Sequence, residues 1–280
     1  MERFSVLMSI YKQEKPEYLD QCLKSLLRQT TPANEWVIVE DGPLTEELYR
    51  VLDSYEREYP NLIKRLPLPE NRGLGQALQA GVPACSYEWI ARMDTDDVAR
   101  FDRFEKQLAA ISEDPDLDIC GSQIVEFEGE LDNVVAERRV PLTDEAIRSF
   151  QRRRDAFNHV SVMFRKSAVM QAGNYQSCPL MEDTYLWARM LLAGAKCKNL
   201  DEPLVYVRVG KDMFSRRGGY AYLKKYAEGR RKVLETGFIS RFDYYYTVAV
   251  QAGVALAPAW LRVWIFKRLL HRRNRANNVA

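Results

Sequence analysis

No Cys-x-x-Cys pair occurs in the sequence, and its five cysteines (Cys22, Cys85, Cys120, Cys178 and Cys197) are odd in number and scattered. This argues against a zinc site or a disulfide frame and for reduced thiols in a cytoplasmic compartment. Charge of one sign is missing too. Lys and Arg number 41 against 39 Asp and Glu, so the net charge of +2 gives no global reason to expect nucleic acid. The N-terminus has no basic stretch and no small-residue cleavage site, and Ser5–Ile10 reads as a first strand, not a signal peptide. Gly-x-x-x-x-Gly-Lys-Ser/Thr is absent. Gly73-Leu74-Gly75 does not follow the first strand and lacks a correctly spaced third glycine. P-loop hydrolysis and hydride transfer therefore drop away. The uncharged run Tyr244–Leu261 reaches only the lower edge of a membrane span and contains Gln251, Gly253 and Pro258.

What is present describes a folded chain. At 280 residues, 46% apolar and 29% charged, it can bury one large core or a core with an appendage. No internal repeat or low-complexity tract interrupts it.

The stretch Trp89-Ile90-Ala91-Arg92-Met93-Asp94-Thr95-Asp96-Asp97 organises the rest. It starts as an apolar strand and ends in three carboxylates within four positions. Acids this close repel one another unless a cation lies among them, and hard oxygen ligands suit Mg²⁺ or Mn²⁺. The competing reading is an Asp-rich turn that caps a helix.

Upstream, strands are expected at Ser5–Ile10, Trp36–Val39 and Ile63–Leu66. Helices alternate with them through Leu19–Leu27, about Thr45–Tyr59, and from Gly73 onward. Such alternation implies parallel pairing, with ligands at the carboxyl ends of the strands. Ser9, Tyr11, Asp41 and Arg72 lie at those ends. An aromatic that can stack, a carboxylate that can accept from a base N–H, and an arginine suit a nucleoside diphosphate. A surface aromatic and an Asp41-Gly42 turn are the plain alternatives.

Downstream, Ile119–Phe127 and Val134–Val140 read as strands, Thr143–Arg153 as a helix, and the apolar run Phe157–Phe164 as another strand. His159, one of two histidines, is a third metal ligand, an acceptor contact or a structural residue. Glu182 and Asp183 open a helix carrying Leu186, Trp187 and Met190. They are either caps favoured by the helix dipole or a general base aimed into the cleft. Val205–Val209 reads as a last strand, and Gly210–Gly219 as a loop whose Arg216 and Arg217 could close over phosphate oxygens. We expect a catalytic domain over 1–210 and a helical extension over 211–280. No acid follows Asp243, whereas Arg262, Lys267, Arg268, Arg272, Arg273 and Arg275 do, among Val263-Trp264-Ile265-Phe266 and Leu269-Leu270. That mixture suits a helix in the membrane interface; packing on the domain or on a second subunit is the alternative.

Taken together, Ser5-Val6-Leu7-Met8-Ser9-Ile10-Tyr11, Val39-Glu40-Asp41-Gly42, Glu70-Asn71-Arg72-Gly73-Leu74-Gly75, Asp94-Thr95-Asp96-Asp97 and Glu182-Asp183 make the chain resemble the family 2 glycosyltransferases. Asn158–Lys166 and Arg216-Arg217-Gly218-Gly219 point to the amylovoran-type branch, which builds bacterial exopolysaccharides and capsules. The resemblance covers about residues 4 to 220. It implies the GT-A fold, an α/β architecture with a mixed, largely parallel sheet flanked by helices. It also implies inverting transfer from a UDP-sugar to a hydroxyl of a glycan or an undecaprenyl-linked oligosaccharide, at the inner face of the cytoplasmic membrane. By resemblance Asp41 and Arg72 hold uracil, Asp94 holds ribose, Asp96 reaches a Mn²⁺ or Mg²⁺ ion, and Asp183, beside Glu182, is the base. Ser9, Tyr11, Asn71, Thr95, Arg216 and Arg217 complete the expected nucleotide-sugar site, and His159 the candidate metal set. The Gln-x-x-Arg-Trp signature of processive synthases is absent, which favours one sugar per encounter. A nucleotidyltransferase lacks support because no glycine-rich basic loop follows the first strand; a silent nucleotide-sugar-binding protein is the remaining alternative.

Overall fold

Four strands hydrogen-bond in parallel at the start of the chain: β1 (Phe4–Ile10), β2 (Glu35–Glu40), β3 (Ile63–Pro67) and β4 (Trp89–Arg92). The computed structural model describes residues 2–210 and 219–256. Between these strands run α1 (Pro16–Leu27), α2 (Glu46–Glu58) and α3 (Leu74–Ala84). Pro16 pre-sets the first turn of α1, whose Leu19, Cys22, Leu23 and Leu26 fall on one buried face. Thr45 opens α2 by accepting from the Leu48 N–H at 3.4 Å.

The strands then switch sides. Their order β3-β2-β1-β4 means that the chain, having reached one edge with β3, returns past β1 to lay down β4. The crevice at the carboxyl ends of β1 and β4 is the topological switch point, where open sheets bind ligands. Beyond β4 come β5 (Val98–Ala99), α4 (Arg103–Glu113), β6 (Leu117–Phe127), β7 (Val134–Arg138) and α5 (Asp144–Gln151). They are followed by β8 (Met163–Arg165), α6 (Lys166–Gln171), α7 (Glu182–Leu192) and β9 (Lys196–Arg208). Among the described residues all strands join one sheet in the order β3-β2-β1-β4-β8-β6-β9-β5, with β7 paired to β6.

Side-chain alternation sorts the sheet into two cores. Phe4, Val6, Met8, Trp36 and Ile38 pack with α1, α2 and α4. Leu7, Val37, Val39 and Ile90 pack with α3 and α7 through Ala77, Leu78, Leu186 and Trp187. The approach of α3 is close: a Cβ on Gly81 would lie 2.5 Å from Leu7 Cδ1. Two helices follow, α8 (Tyr220–Glu235) and α9 (Arg241–Leu256). Ala188 of α7 packs with Val233 and Ile239, so α8 and the turn after it rest on α7.

The architecture is the expected mixed, largely parallel sheet, but two stretches differ from the sequence reading. Phe157–Phe164 is not one strand; only Met163–Arg165 pairs, and His159–Ser161 forms a 3₁₀ turn. Side chains draw this backbone out of the ladder. Asn158 Nδ2 and Ser161 Oγ donate to the Ser122 carbonyl at 2.9 and 3.1 Å, and Ser161 N–H donates to the Asn158 carbonyl at 2.8 Å. The last strand begins at Lys196, well before Val205, and absorbs Glu202-Pro203 as an irregularity against Gln123. Arg216, Arg217 and the basic tail after Leu256 lie outside the described residues. No helix among those described is long and apolar enough to cross a membrane.

Candidate active site

The apolar ladder of β4 ends as Met93 N–H donates to the Leu7 carbonyl at 3.1 Å, and the next residues are the acids. One ligand oxygen from each of Asp94, Asp96 and Asp97 can be chosen so that all lie within 4.8 Å of one another. Burial, then the neighbouring Asp94 and Glu14, pushes the Asp96 carboxyl up to about 7. Burial with Asp94 and Asp96 pushes Asp97 well above the usual carboxylate range. Hard oxygens packed until they resist ionisation are the donor set that Mg²⁺ or Mn²⁺ takes, so these residues fit a divalent cation. The loop is also tied down. Arg92 Nη2 pairs with Asp94 Oδ1 at 2.5 Å, and Thr95 Oγ1 donates to Glu14 Oε2 at 3.0 Å. Arg208, the last residue of β9, donates its N–H to Asp97 Oδ1 at 2.8 Å and its Nε–H to the Asp96 carbonyl at 3.1 Å. Its guanidinium lies 3.9 Å from the Tyr18 ring centroid and 4.6 Å from that of Phe127.

Asp41 closes the neighbouring wall. Its N–H continues the ladder to the Ile10 carbonyl at 2.7 Å, and its two carboxylate oxygens accept from Arg72 N–H and Gly73 N–H at 2.7 and 2.9 Å. Asn71 Nδ2 donates to the Asp41 carbonyl at 3.2 Å. The loop carrying Asn71 and Arg72 is thereby folded onto the end of β2. Gly42 permits this contact, since it has φ +83° and its Cβ would lie 2.6 Å from Asn71 N. The Arg72 guanidinium reaches Glu70 at 3.1 Å and is half exposed. Ser9 is half-buried at the end of β1, and Tyr11 is exposed just beyond it.

The start of α7 meets this region from the side of α3. A Cβ on Gly75 would stand 3.0 Å from Glu182 Cβ, so the first turn of α3 touches the first turn of α7. Asp183 Oδ1 accepts from Thr184 N–H at 2.7 Å, and Thr184 Oγ1 donates to Asp155. Burial, then Asp155 and Glu182, pushes Asp183 up to about 7. The buried Tyr175 feels both acidic groups. Burial raises its phenol, which also feels Arg92, Asp183, Glu182 and Asp94. Residues almost ninety positions apart thus act on one hydroxyl. His159 stands beside it, with Nε2 2.8 Å from Tyr175 Oη and its ring 5.9 Å from that of Trp187. Burial and the Arg92 charge push the imidazole well below its ordinary value, which keeps it neutral. Among the described residues the carboxylate cluster forms without His159.

Sequence reasoning passed over Glu14, Asp155, Tyr175, Arg92 and Arg208. Signals existed for three of them. Glu14 shares the strand-end loop of Tyr11, Asp155 is the lone acid after Arg152-Arg153-Arg154, and Arg208 is a charge inside the apolar run Val205–Val209.

Residues 5–174 match the family described as Glycosyl transferase family 2. The chain belongs to that family. Its relatives include the amylovoran biosynthesis glycosyltransferase AmsE of Erwinia amylovora, 41% identical over 95% of this chain and 98% of that protein. Another is the Escherichia coli UDP-Gal:alpha-D-GlcNAc-diphosphoundecaprenol beta-1,3-galactosyltransferase, 34% identical over 96% of this chain and 97% of that protein. Among solved structures, S. aureus TarS 1-349 in complex with UDP-GlcNAc superposes with a TM-score of 0.64 at 18% identity. That match covers 83% of this chain and 66% of the other, and it shows the shared GT-A fold. The family 2 chain is therefore a glycosyltransferase, and the acidic loop, the Asp41 wall and the α7 terminus are its candidate active site.

Proposed function

We propose that this enzyme moves one sugar from a UDP-sugar, with inversion, to a hydroxyl of a lipid-linked oligosaccharide used for bacterial cell-surface polysaccharide. One observation carries the reading: Asp183 is buried at the start of α7 with its carboxyl raised to about 7, and the Tyr175 phenol feels both it and Asp94. A base that titrates near the working pH is what proton removal from an alcohol needs. The printed activity of the E. coli relative and the UDP-GlcNAc bound to TarS support the donor and acceptor classes.

Asp41 and Arg72 would hold the base of the nucleotide, with Tyr11 beside it and Asn71 fixing the loop. Asp94 and Thr95 would face the ribose. Asp96, with Asp94 and Asp97, would hold Mn²⁺ or Mg²⁺, which supplies positive charge to the departing diphosphate when bound. Asp183, ionised, takes the proton of the acceptor hydroxyl as that oxygen attacks the anomeric carbon from the face opposite the diphosphate. The new glycosidic bond forms as the bond from the anomeric carbon to the phosphate oxygen breaks, and UDP leaves with the electron pair.

The work is assigned to the inner face of the cytoplasmic membrane. Phe242, Tyr245, Tyr246 and Val250 are exposed on α9, which leads into the apolar and basic segment 257–280. Screening UDP-sugars for UDP release on addition of a lipid-linked acceptor tests the function. Acceptor-dependent UDP release from one donor is expected; pyrophosphate release, or none with any donor, contradicts it.

A further inference from the structure

The carboxyl end of β4 carries a buried cation whose bonding is incomplete. Arg92 is 2% exposed, and only its Nη2 is engaged, by Asp94. Nε and Nη1, on either side of that nitrogen, are shut off from solvent and find no acceptor among the described residues. Trp187 Nε1–H is in the same condition, on a side chain with no exposed surface. Native structures leave few buried donors unmet, and those that remain point to a bound partner or to water.

Alternation along β4 locates the arginine. Ile90 packs against α3 and α7, so Arg92, two residues on and opposite Leu7 of β1, leaves the sheet on the same face. Trp187 lies one turn beyond Asp183 on α7 and enters that face as well. His159 stands between them, against the Trp187 ring and under the charge of Arg92. The unmet N–H groups therefore share the sheet face covered by α3 and α7, Arg92 beside Asp94 and Trp187 one turn from the start of α7. His159 Nε2 is itself taken up by Tyr175.

The unmet atoms of Arg92 and Trp187 are all donors, and one of the two side chains carries a full positive charge. The complement is a set of oxygen atoms, at least one of them anionic or strongly polar. The nucleoside is already assigned to Asp41, Arg72 and Asp94. We infer that Arg92, backed by Trp187, receives oxygen atoms of the donor beyond its nucleoside, in the diphosphate–sugar portion. The inference rests on the UDP-sugar reading above. It makes Arg92 a reader of the donor as well as the partner of Asp94.

The test compares full-length wild type, Arg92→Met and Trp187→Phe by calorimetric titration with uridine, UDP and UDP-galactose in the presence of Mn²⁺. For Arg92→Met the expected result is uridine affinity within about twofold of wild type, with UDP or UDP-galactose weakened roughly tenfold or more. A loss that first shows at UDP assigns the oxygens to the diphosphate; one that shows only at UDP-galactose assigns them to the sugar. Equal losses on all three ligands, uridine included, overturn the inference and leave Arg92 acting only through Asp94. Unchanged affinities overturn it as well. Trp187→Phe keeps the packed ring and removes only the N–H. It carries the same comparison if Arg92→Met does not fold. Wild-type protein that binds none of the three removes the UDP reading itself, and this inference with it.

Discussion

Gly42 shows how little room the Asp41 wall leaves. Its φ of +83° and the 2.6 Å approach to Asn71 N exclude a side chain without movement of the Asn71–Arg72 loop. Gly42→Ala should cost about 1–3 kcal/mol of stability from backbone strain. It should also weaken UDP binding, because Arg72 and Gly73 lose their seat on Asp41. Thermal unfolding and UDP titration check both, and an unshifted melting temperature contradicts the prediction. In the proposed mechanism Asp183 sets the pH behaviour. Its carboxyl is raised to about 7, so the base form is present above that value and lost as pH falls through it. Transfer measured as kcat/KM should therefore fall roughly tenfold per unit below about pH 7. A profile flat down to pH 5 would contradict this. Asp41, beside Gly42, and Asp183 were readable in the sequence as a strand-end and a helix-start acid. Glu14 and Asp155 carried only faint signals, because a single acid in a loop has no period, and only the folded chain brings it near another.

At the scale of elements, the parallel half was legible because β1, β2 and β4 are buried on both faces and read as unbroken apolar runs between amphipathic helices. The second half was less so. The 3₁₀ turn at His159–Ser161 sits in an apolar run whose polar residues, Asn158 and Ser161, find better partners in the Ser122 carbonyl than in a ladder. β9 was read too short because Asp201, Glu202 and Pro203 look like a break, yet the chain bulges there and goes on pairing with β6. The end of β9 bears on the site through Arg208, clamped between Tyr18 and Phe127 and bonded to the Asp96 carbonyl. Arg208→Ala should loosen the acidic loop, weakening Mn²⁺ binding several-fold and costing about 1–2 kcal/mol of stability. Calorimetric Mn²⁺ titration tests this without reference to turnover. Wild-type affinity for the ion would show that the clamp serves the fold alone.

On the scale of the whole molecule, α8 and α9 are joined to the preceding part of the chain by packing and by charge. Arg153 Nε lies 2.7 Å from Asp243 Oδ1, and Arg230 Nη2 donates to the Arg152 carbonyl at 2.7 Å. α8 and α9 should thus stay folded when residues 257–280 are removed, while binding to vesicles containing anionic lipid should drop. Sedimentation with such vesicles decides it, and undiminished pelleting counts against the membrane assignment. The central claim is that one cleft gathers a cation-binding loop and a proton acceptor from distant parts of the chain. Its most direct test is Asp183→Asn, assayed side by side for UDP binding and for acceptor-dependent UDP release. The account predicts unchanged UDP affinity, a melting temperature equal to wild type or higher since a penalised charge is gone, and transfer reduced by about 10²-fold or more. Turnover near wild type, with the nucleotide still bound, would contradict it.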